Sequence, residues 1–143
     1  MNRHSEKKAT KSLLICLLLI LLSSFGSYLV QTDFGKIEIQ SLTIPGKNGR
    51  VIQADLFRPR TATEENKAPL VVVTPGFQRT KETQISNSLE LARRGFVTIC
   101  VDPYNQGESD SSAKEDNESA LIPVIEFATK SKEPVDQDKG CYY

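Results

Sequence analysis

The sequence predicts an α/β domain built on a parallel β-α-β crossover. Two apolar runs, Leu70-Val71-Val72-Val73-Thr74 and Phe96-Val97-Thr98-Ile99-Cys100-Val101, are rich in β-branched residues and lack polar–apolar alternation. Such runs fit strands buried on both faces of a sheet. Each stops in turn chemistry, the first at Pro75-Gly76-Phe77 and the second at Asp102-Pro103. One helix-length segment joins them, and strand, helix, strand with short connections is a parallel crossover.

The domain does not begin at Met1. Residues 1–12 carry Arg3, Lys7, Lys8 and Lys11 against Glu6 alone, and Leu13 to Leu22 is unbroken apolar sequence. Ser23-Ser24-Phe25-Gly26-Ser27 then brings small residues. Basic, apolar, small is the order of a secretory signal. Cleavage after Gly26 competes with an uncleaved anchor, because Tyr28-Leu29-Val30 prolongs the apolar stretch toward the length of a membrane span. A core helix is disfavoured by a segment that is apolar all round. Cys16 follows Ile15 where lipidation expects a small residue. The expected organisation is a basic N-terminal segment at 1–12, a signal peptide or transmembrane anchor at 13–30, and a domain at 31–143. Basic residues ahead of the span predict a cytoplasmic N-terminus and an extracytoplasmic remainder, anchored or secreted.

The elements follow in order. Lys36 to Thr43 alternates, with Ile37 and Ile39 on one face and Glu38 and Gln40 on the other, and reads as a strand. Pro45-Gly46-Lys47-Asn48-Gly49 is a turn, and Val51 to Phe57 is a second strand, so the pair predicts an antiparallel hairpin. The polar stretch Arg58 to Ala68 reads as an exposed loop. After the first buried strand, Lys81 to Arg94 reads as a helix, with Ile85, Leu89 and Ala92 in one stripe widened by Leu91. Gly95 sits where a helix end needs a left-handed residue. Residues 110–117 are polar and loop-like. From Leu121, the residues Val124, Ile125 and Ala128 recover helical spacing, with Pro123 tolerated in the first turn. Ser131 to Lys139 is polar, and Gly140-Cys141-Tyr142-Tyr143 is too short for another element.

Charge and cysteine usage exclude several functions. The net charge is zero, but residues 31–143 hold 14 basic and 17 acidic side chains. There is no basic stripe with interleaved aromatics, so no nucleic-acid partner is expected. The three cysteines, Cys16, Cys100 and Cys141, make neither a disulfide framework nor a metal spacing. Cys100 is expected to pack as a small buried side chain.

Taken in order, Thr74-Pro75-Gly76-Phe77, Leu91-Ala92-Arg93-Arg94-Gly95-Phe96, Val101-Asp102 and Gly107-Glu108-Ser109 resemble the N-terminal part of the α/β-hydrolase family, over about residues 36–139. The resemblance implies an antiparallel hairpin followed by a parallel β-α-β unit, and a small-molecule ester, thioester or amide substrate for the complete protein. It implies no cofactor and no metal. By position, the backbone N–H of Phe77 would contribute to an oxyanion hole, which stabilises charge developing on a substrate carbonyl. An amide does not depend on its side chain, so Pro75 in place of the family's histidine need not abolish the role; a plain tight turn is the competing reading. Ser109 lacks the flanking glycines of a nucleophile turn and is expected to be structural. Asp102 is expected to end a strand rather than serve as triad acid. Asn117-Glu118-Ser119 matches a glycosylation acceptor, a pattern short enough to arise by chance.

Serine hydrolysis needs a nucleophile, an imidazole and an orienting carboxylate. The only histidine is His4, ahead of the apolar segment, and no Gly-x-Ser-x-Gly occurs. No catalytic residue is therefore assigned within the chain. Val135-Asp136-Gln137-Asp138-Lys139 resembles the lead-in to the strand that carries the family's nucleophile. The expectation is a truncated hydrolase, inactive as this chain, with that strand absent and the Leu70–Thr74 strand left as a bare apolar edge, an aggregation hazard. Two other readings stay open. A dinucleotide-binding domain would place Asp102 on a ribose hydroxyl, but needs a Gly-x-Gly-x-x-Gly that Gly76 alone does not supply. A non-catalytic, membrane-tethered module is the other.

Overall fold

A computed structural model describes residues 3–113, 120–130 and 134–142, with side chains for 8–113, 120–130 and 134–136. Contacts divide the chain into two compact units, Met1–Gly35 and Lys36–Tyr143. The Asn117-Glu118-Ser119 sequence lies outside the described residues.

The first unit is one helix, α1 (Arg3–Gln31). Its leucine-rich run favours helix, and no glycine interrupts it before Gly26. The stretch Lys8–Gln31 is 24 residues with none of its apolar window buried. At about 1.5 Å per residue it reaches ~36 Å, long enough to cross a hydrocarbon core of about 30 Å. Successive positive φ angles at Asp33, Phe34 and Gly35 stop the helix.

The second unit is a five-stranded mixed sheet with a helix on each face. Its elements are β1 (Ile37–Pro45), β2 (Val51–Pro59), β3 (Ala68–Val73), α2 (Ile85–Arg93), β4 (Val97–Val101), α3 (Leu121–Lys130) and β5 (Val135–Tyr142). The strand order is β1-β2-β4-β3-β5. β1 and β2 form the expected antiparallel hairpin, in register from Ile37 opposite Pro59 to Pro45 opposite Val51. β2 runs antiparallel to β4, with Ala54 opposite Val101. The two valine-rich segments lie side by side, β3 parallel to β4 with Leu70 opposite Val97.

Alternation sorts the core onto two faces. Leu42, Ile44, Ile52, Leu56, Leu70, Val72, Val97, Ile99 and Val101 pack with Val124 and Ala128 of α3. Ile37, Phe57 and Cys100 pack with Ala92 of α2. Each of the fully buried β4 side chains Val97, Ile99 and Val101 contributes about 1.5–3 kcal/mol of burial. That double coverage is why these segments read as continuous apolar runs rather than alternating ones. Gly95, with φ +94°, ends the α2 region in the left-handed conformation anticipated for it.

Three expectations need correction. The first concerns the edge of β3, which is not bare. Val135–Tyr142 is a strand, and it pairs parallel to β3 from Ala68 opposite Val135 to Val72 opposite Tyr142. Gly140-Cys141-Tyr142 is therefore not too short to build an element, because it continues that strand. The sequence hid β5 because Asp136, Gln137, Asp138, Lys139 and Gly140 carry no apolar period. Its ladder is irregular too, with a register shift between Pro69 and Val71. Pairing with β3, not side-chain pattern, makes it a strand.

The second correction concerns α2. Lys81–Gln84 is a separate 3-10 turn, and the buried residues of α2 are Ser88 and Ala92, with Ile85 exposed. Small side chains at the contact let the helix lie close to β4, so the buried stripe is centred away from Ile85. The third is local: the stretch from Arg58 to Ala68 is not wholly an exposed loop, because β2 runs on to Pro59, β3 begins at Ala68, and Pro59, Ala62 and Ala68 are buried.

A chain ending at Lys130 should lose the cover on β3 and aggregate through the exposed Leu70–Val73 edge. Size-exclusion chromatography should show the 143-residue chain eluting as a defined species and the shortened chain in the void volume; equal behaviour would show that β5 does not protect this edge.

Candidate functional site

The site grows from the order of the strands. From β3 the chain crosses by way of α2 to β4, then returns through α3 past β3 to β5. The connection that leaves the carboxyl end of β3 and the one that leaves the carboxyl end of β4 lie on opposite faces, since α2 packs on one core cluster and α3 on the other. In open α/β sheets, such a switch point leaves a crevice outside the carboxyl ends of the strands, where ligands bind.

Phe77 sits there, in the turn that follows β3. Pro75 is buried, whereas Gly76, Phe77, Gln78 and Arg79 are all exposed, Phe77 to 81%. Gln78 has φ +57°, and the Arg79 amide donates to the Gly76 carbonyl at 3.1 Å, closing the turn. Phe77–Thr80 forms one wall of an open cleft of about 470 Å³, and Asn105–Gly107 forms the other.

The second wall hangs on Asp102, which has no exposed surface. Its Oδ1 accepts the Lys81 amide at 2.7 Å, and its Oδ2 accepts the Glu108 amide at 3.0 Å. Its own amide donates to the Gln53 carbonyl at 2.9 Å, and its carbonyl accepts the Ser109 hydroxyl at 2.6 Å. Ser109 Oγ in turn accepts the Gln53 amide at 2.8 Å. Its hydroxyl thus joins the loop to the edge of β2, a structural duty, and Asp102 ends β4 as expected. A Cβ at Gly107, which has φ +54°, would overlap the Asp102 carboxylate, so only glycine fits there. Tyr104, also fully buried, accepts the Lys47 amide at its hydroxyl oxygen at 2.9 Å and pins the hairpin turn to the same loop.

Lys81 went unnoticed in the sequence and is the least expected residue of the site. Its side chain is 6% exposed, with Nζ 2.6 Å from Glu108 Oε2, 3.4 Å from Glu82 Oε1, 3.5 Å from Asp102 Oδ2 and 3.9 Å from Asp55 Oδ2. One ammonium faces four carboxylates with only three protons to give. Burial by itself pushes the ammonium pKa down; the hydrogen bond to Glu108 and the charges of Asp55, Asp102 and Glu82 outweigh it and hold it above the ordinary lysine range. The one available signal was Asp102 itself: a carboxylate ending a buried strand needs a cation or several amides nearby.

Cys100 lies beneath this cluster, its thiol donating to the Lys81 carbonyl at 3.4 Å. Burial pushes its pKa up to about 11, and the charges of Asp55, Asp102 and Glu82 act in the same direction. Among the described residues, no group of His, Cys, Asp and Glu is arranged to hold a metal ion. Asp102 has no exposed atom to offer a ribose, which removes the physical basis of the dinucleotide reading.

This architecture recurs in solved structures. A hypothetical protein from Pseudomonas aeruginosa matches with a TM-score of 0.64 at 25% identity, over 75% of this chain and 35% of its own. An alpha/beta hydrolase from Penicillium sp. matches with a TM-score of 0.63 at 15% identity, over 73% of this chain and 36% of its own. The chain carries the N-terminal part of the α/β-hydrolase fold. Est1E from Butyrivibrio proteoclasticus, with ferulic acid bound, matches this hydrolase fold at 25% identity with a TM-score of 0.55, over 71% of this chain and 40% of its own. Several other matches are named as esterases. The chain thus spans little more than a third of the first of these structures. No protein-family model and no curated protein matches the sequence.

The raised pKa of Cys100 fixes a pH dependence. The folded thiol keeps its proton to higher pH than the unfolded one, whose ordinary value is 9.0. The associated stability is present below that value and lost as pH rises toward 11. The urea midpoint of the chain should fall across this window by the equivalent of about 2 kcal/mol, and Cys100→Ala should flatten that fall. Parallel declines in both proteins would show that the thiol is not the titrating group.

Proposed function

We propose that this chain supplies the front half of the sheet and one oxyanion-hole donor of a serine hydrolase acting on an ester, thioester or amide. The observation that carries the reading is the placement of Phe77. Its backbone lies in an exposed turn at the carboxyl end of β3, at the switch point of a hydrolase fold. Attack by a serine hydroxyl on a carbonyl carbon moves negative charge to the carbonyl oxygen, and an N–H fixed in advance at that position lowers the barrier. Ferulic acid, bound in Est1E, is a carboxylic acid of the kind an ester hydrolysis releases.

The rest of the machinery is not within Lys36–Tyr143, which contains no histidine and no Gly-x-Ser-x-Gly. Without an imidazole to accept the serine proton, an oxyanion donor alone gives no turnover cycle. As a 143-residue chain the protein is inactive. Assayed on p-nitrophenyl acetate, it should release nitrophenol no faster than buffer. In the whole protein, Phe77→Pro, which removes the N–H, should lower kcat by about 10²–10³, while Phe77→Ala, which keeps it, should stay within a few-fold. Turnover by the 143-residue chain, or equal kcat for the two variants, would overturn the assignment.

Residues 1–12 form the basic flank, 13–30 the signal or anchor, and 31–143 the hydrolase-type domain, on the extracytoplasmic side. Support comes from the length of α1, the exposed apolar run that begins at Leu13 within it, and Arg3, Lys7, Lys8 and Lys11 ahead of that run. Alkaline phosphatase fused after Tyr143 and expressed in a bacterium should be active, since that enzyme matures only outside the cytoplasm; an inactive, stable fusion would place the domain on the cytoplasmic side.

A further inference from the structure

We propose that Lys81 is the positioning residue of the oxyanion turn, locking the loop that carries Phe77 to the loop that forms the opposite wall of the cleft. What the lock serves rests on the hydrolase reading above; that it exists rests on contacts alone.

The turn has almost nothing of its own to hold it. Gly76, Phe77, Gln78 and Arg79 are all exposed, and its internal hydrogen bond, from the Arg79 amide to the Gly76 carbonyl, ties it only to itself. Its two buried posts are Pro75, at the end of β3, and Lys81. Pro75 fixes where the turn leaves the sheet, so Lys81 must fix where it returns.

Lys81 does so with two separate groups. Its amide donates to Asp102 Oδ1 at 2.7 Å, and its ammonium reaches Glu108 Oε2 at 2.6 Å and Asp102 Oδ2 at 3.5 Å. Asp102 is itself rooted in the sheet through the Gln53 carbonyl and through Ser109. A continuous path therefore runs from β2 through Asp102 and Lys81 to the Phe77 turn. The ammonium adds what the amide cannot, a bond across to Glu108 beside Gly107 on the far wall. An oxyanion donor displaced by about 1 Å loses a large part of its effect, on the order of 10²-fold, so a lock of this kind bears on rate rather than on substrate affinity.

Amide hydrogen exchange on the 143-residue chain tests the lock directly. Lys81→Met should quicken exchange at Arg79, Lys81 and Glu108 by about tenfold or more, with the β1–β2 amides of Gln40 and Leu56, which lie opposite each other, unchanged. Lys81→Arg should restore most of the protection. If Lys81→Met does not fold, Glu108→Gln provides the test, because Glu108 is 71% exposed and its loss leaves the Lys81 ammonium still facing Asp102, Glu82 and Asp55; it should act in the same direction by a few-fold. Unchanged exchange at the three loop amides, or equal acceleration everywhere, overturns the lock.

In the whole hydrolase, Lys81→Met should lower kcat by about tenfold or more with KM within about threefold, and Lys81→Arg should recover part of it. Faster loop exchange with unchanged kcat overturns the positioning role and leaves the hydrolase reading standing. Absence of ester hydrolysis by the unmodified whole protein overturns the hydrolase reading instead, while exchange still decides the lock.

Discussion

A carboxylate removed from water must be given donors, and the carboxylate of Asp102, with no exposed surface, imposes that requirement on the whole carboxyl end of the sheet. Two backbone amides, from Lys81 and Glu108, and the Lys81 ammonium answer it. These donors come from two residues on two different loops, so satisfying one charge folds the loops against each other. The absence of a Cβ at Gly107 is part of the same arrangement, because the carboxylate fills the space a side chain would take. Breaking a buried pair of this kind is strongly destabilising, since the partner left behind stays charged in a poor solvent.

The loop so organised completes the sheet as well as the cleft. β4 is short, and it ends at Val101 opposite Ala54. Beyond it, the Asp102 and Asp110 amides donate to the carbonyls of Gln53 and Val51, and Ser109 Oγ and Asp110 Oδ2 take the amides of Gln53 and Val51. The polar groups of β2 that β4 does not reach are therefore satisfied by the Asp102–Asp110 loop. A stretch that reads as a turn thus serves in place of a strand. Its free side, with the Phe77 turn opposite, lines the cleft at the switch point.

Much of this was legible in the chain. The Leu70–Thr74 and Phe96–Val101 runs announced doubly covered strands, and Ile37, the Pro45–Gly49 turn and Val51–Phe57 announced the hairpin. Gly95 marked the end of a helix, and Val124 and Ala128 marked the buried stripe of α3. Their common property is a local period or a turn residue, which survives in sequence because it reflects a local geometric need. The placement of Phe77 after the first buried strand was legible in the same way, through order along the chain.

What the sequence by itself determined is the class of the fold, the hairpin and crossover within it, the apolar N-terminal stretch, and the absence of an imidazole from the folded unit. Tertiary structure alone decided the rest. β5 is polar along most of its length and becomes a strand only because β3 offers it an unpaired edge of amides and carbonyls. Lys81 follows an exposed turn and is buried only because Asp102, 21 residues away, needs its charge. Both depend on partners distant along the chain, and a partner's need leaves no period in the residue that meets it.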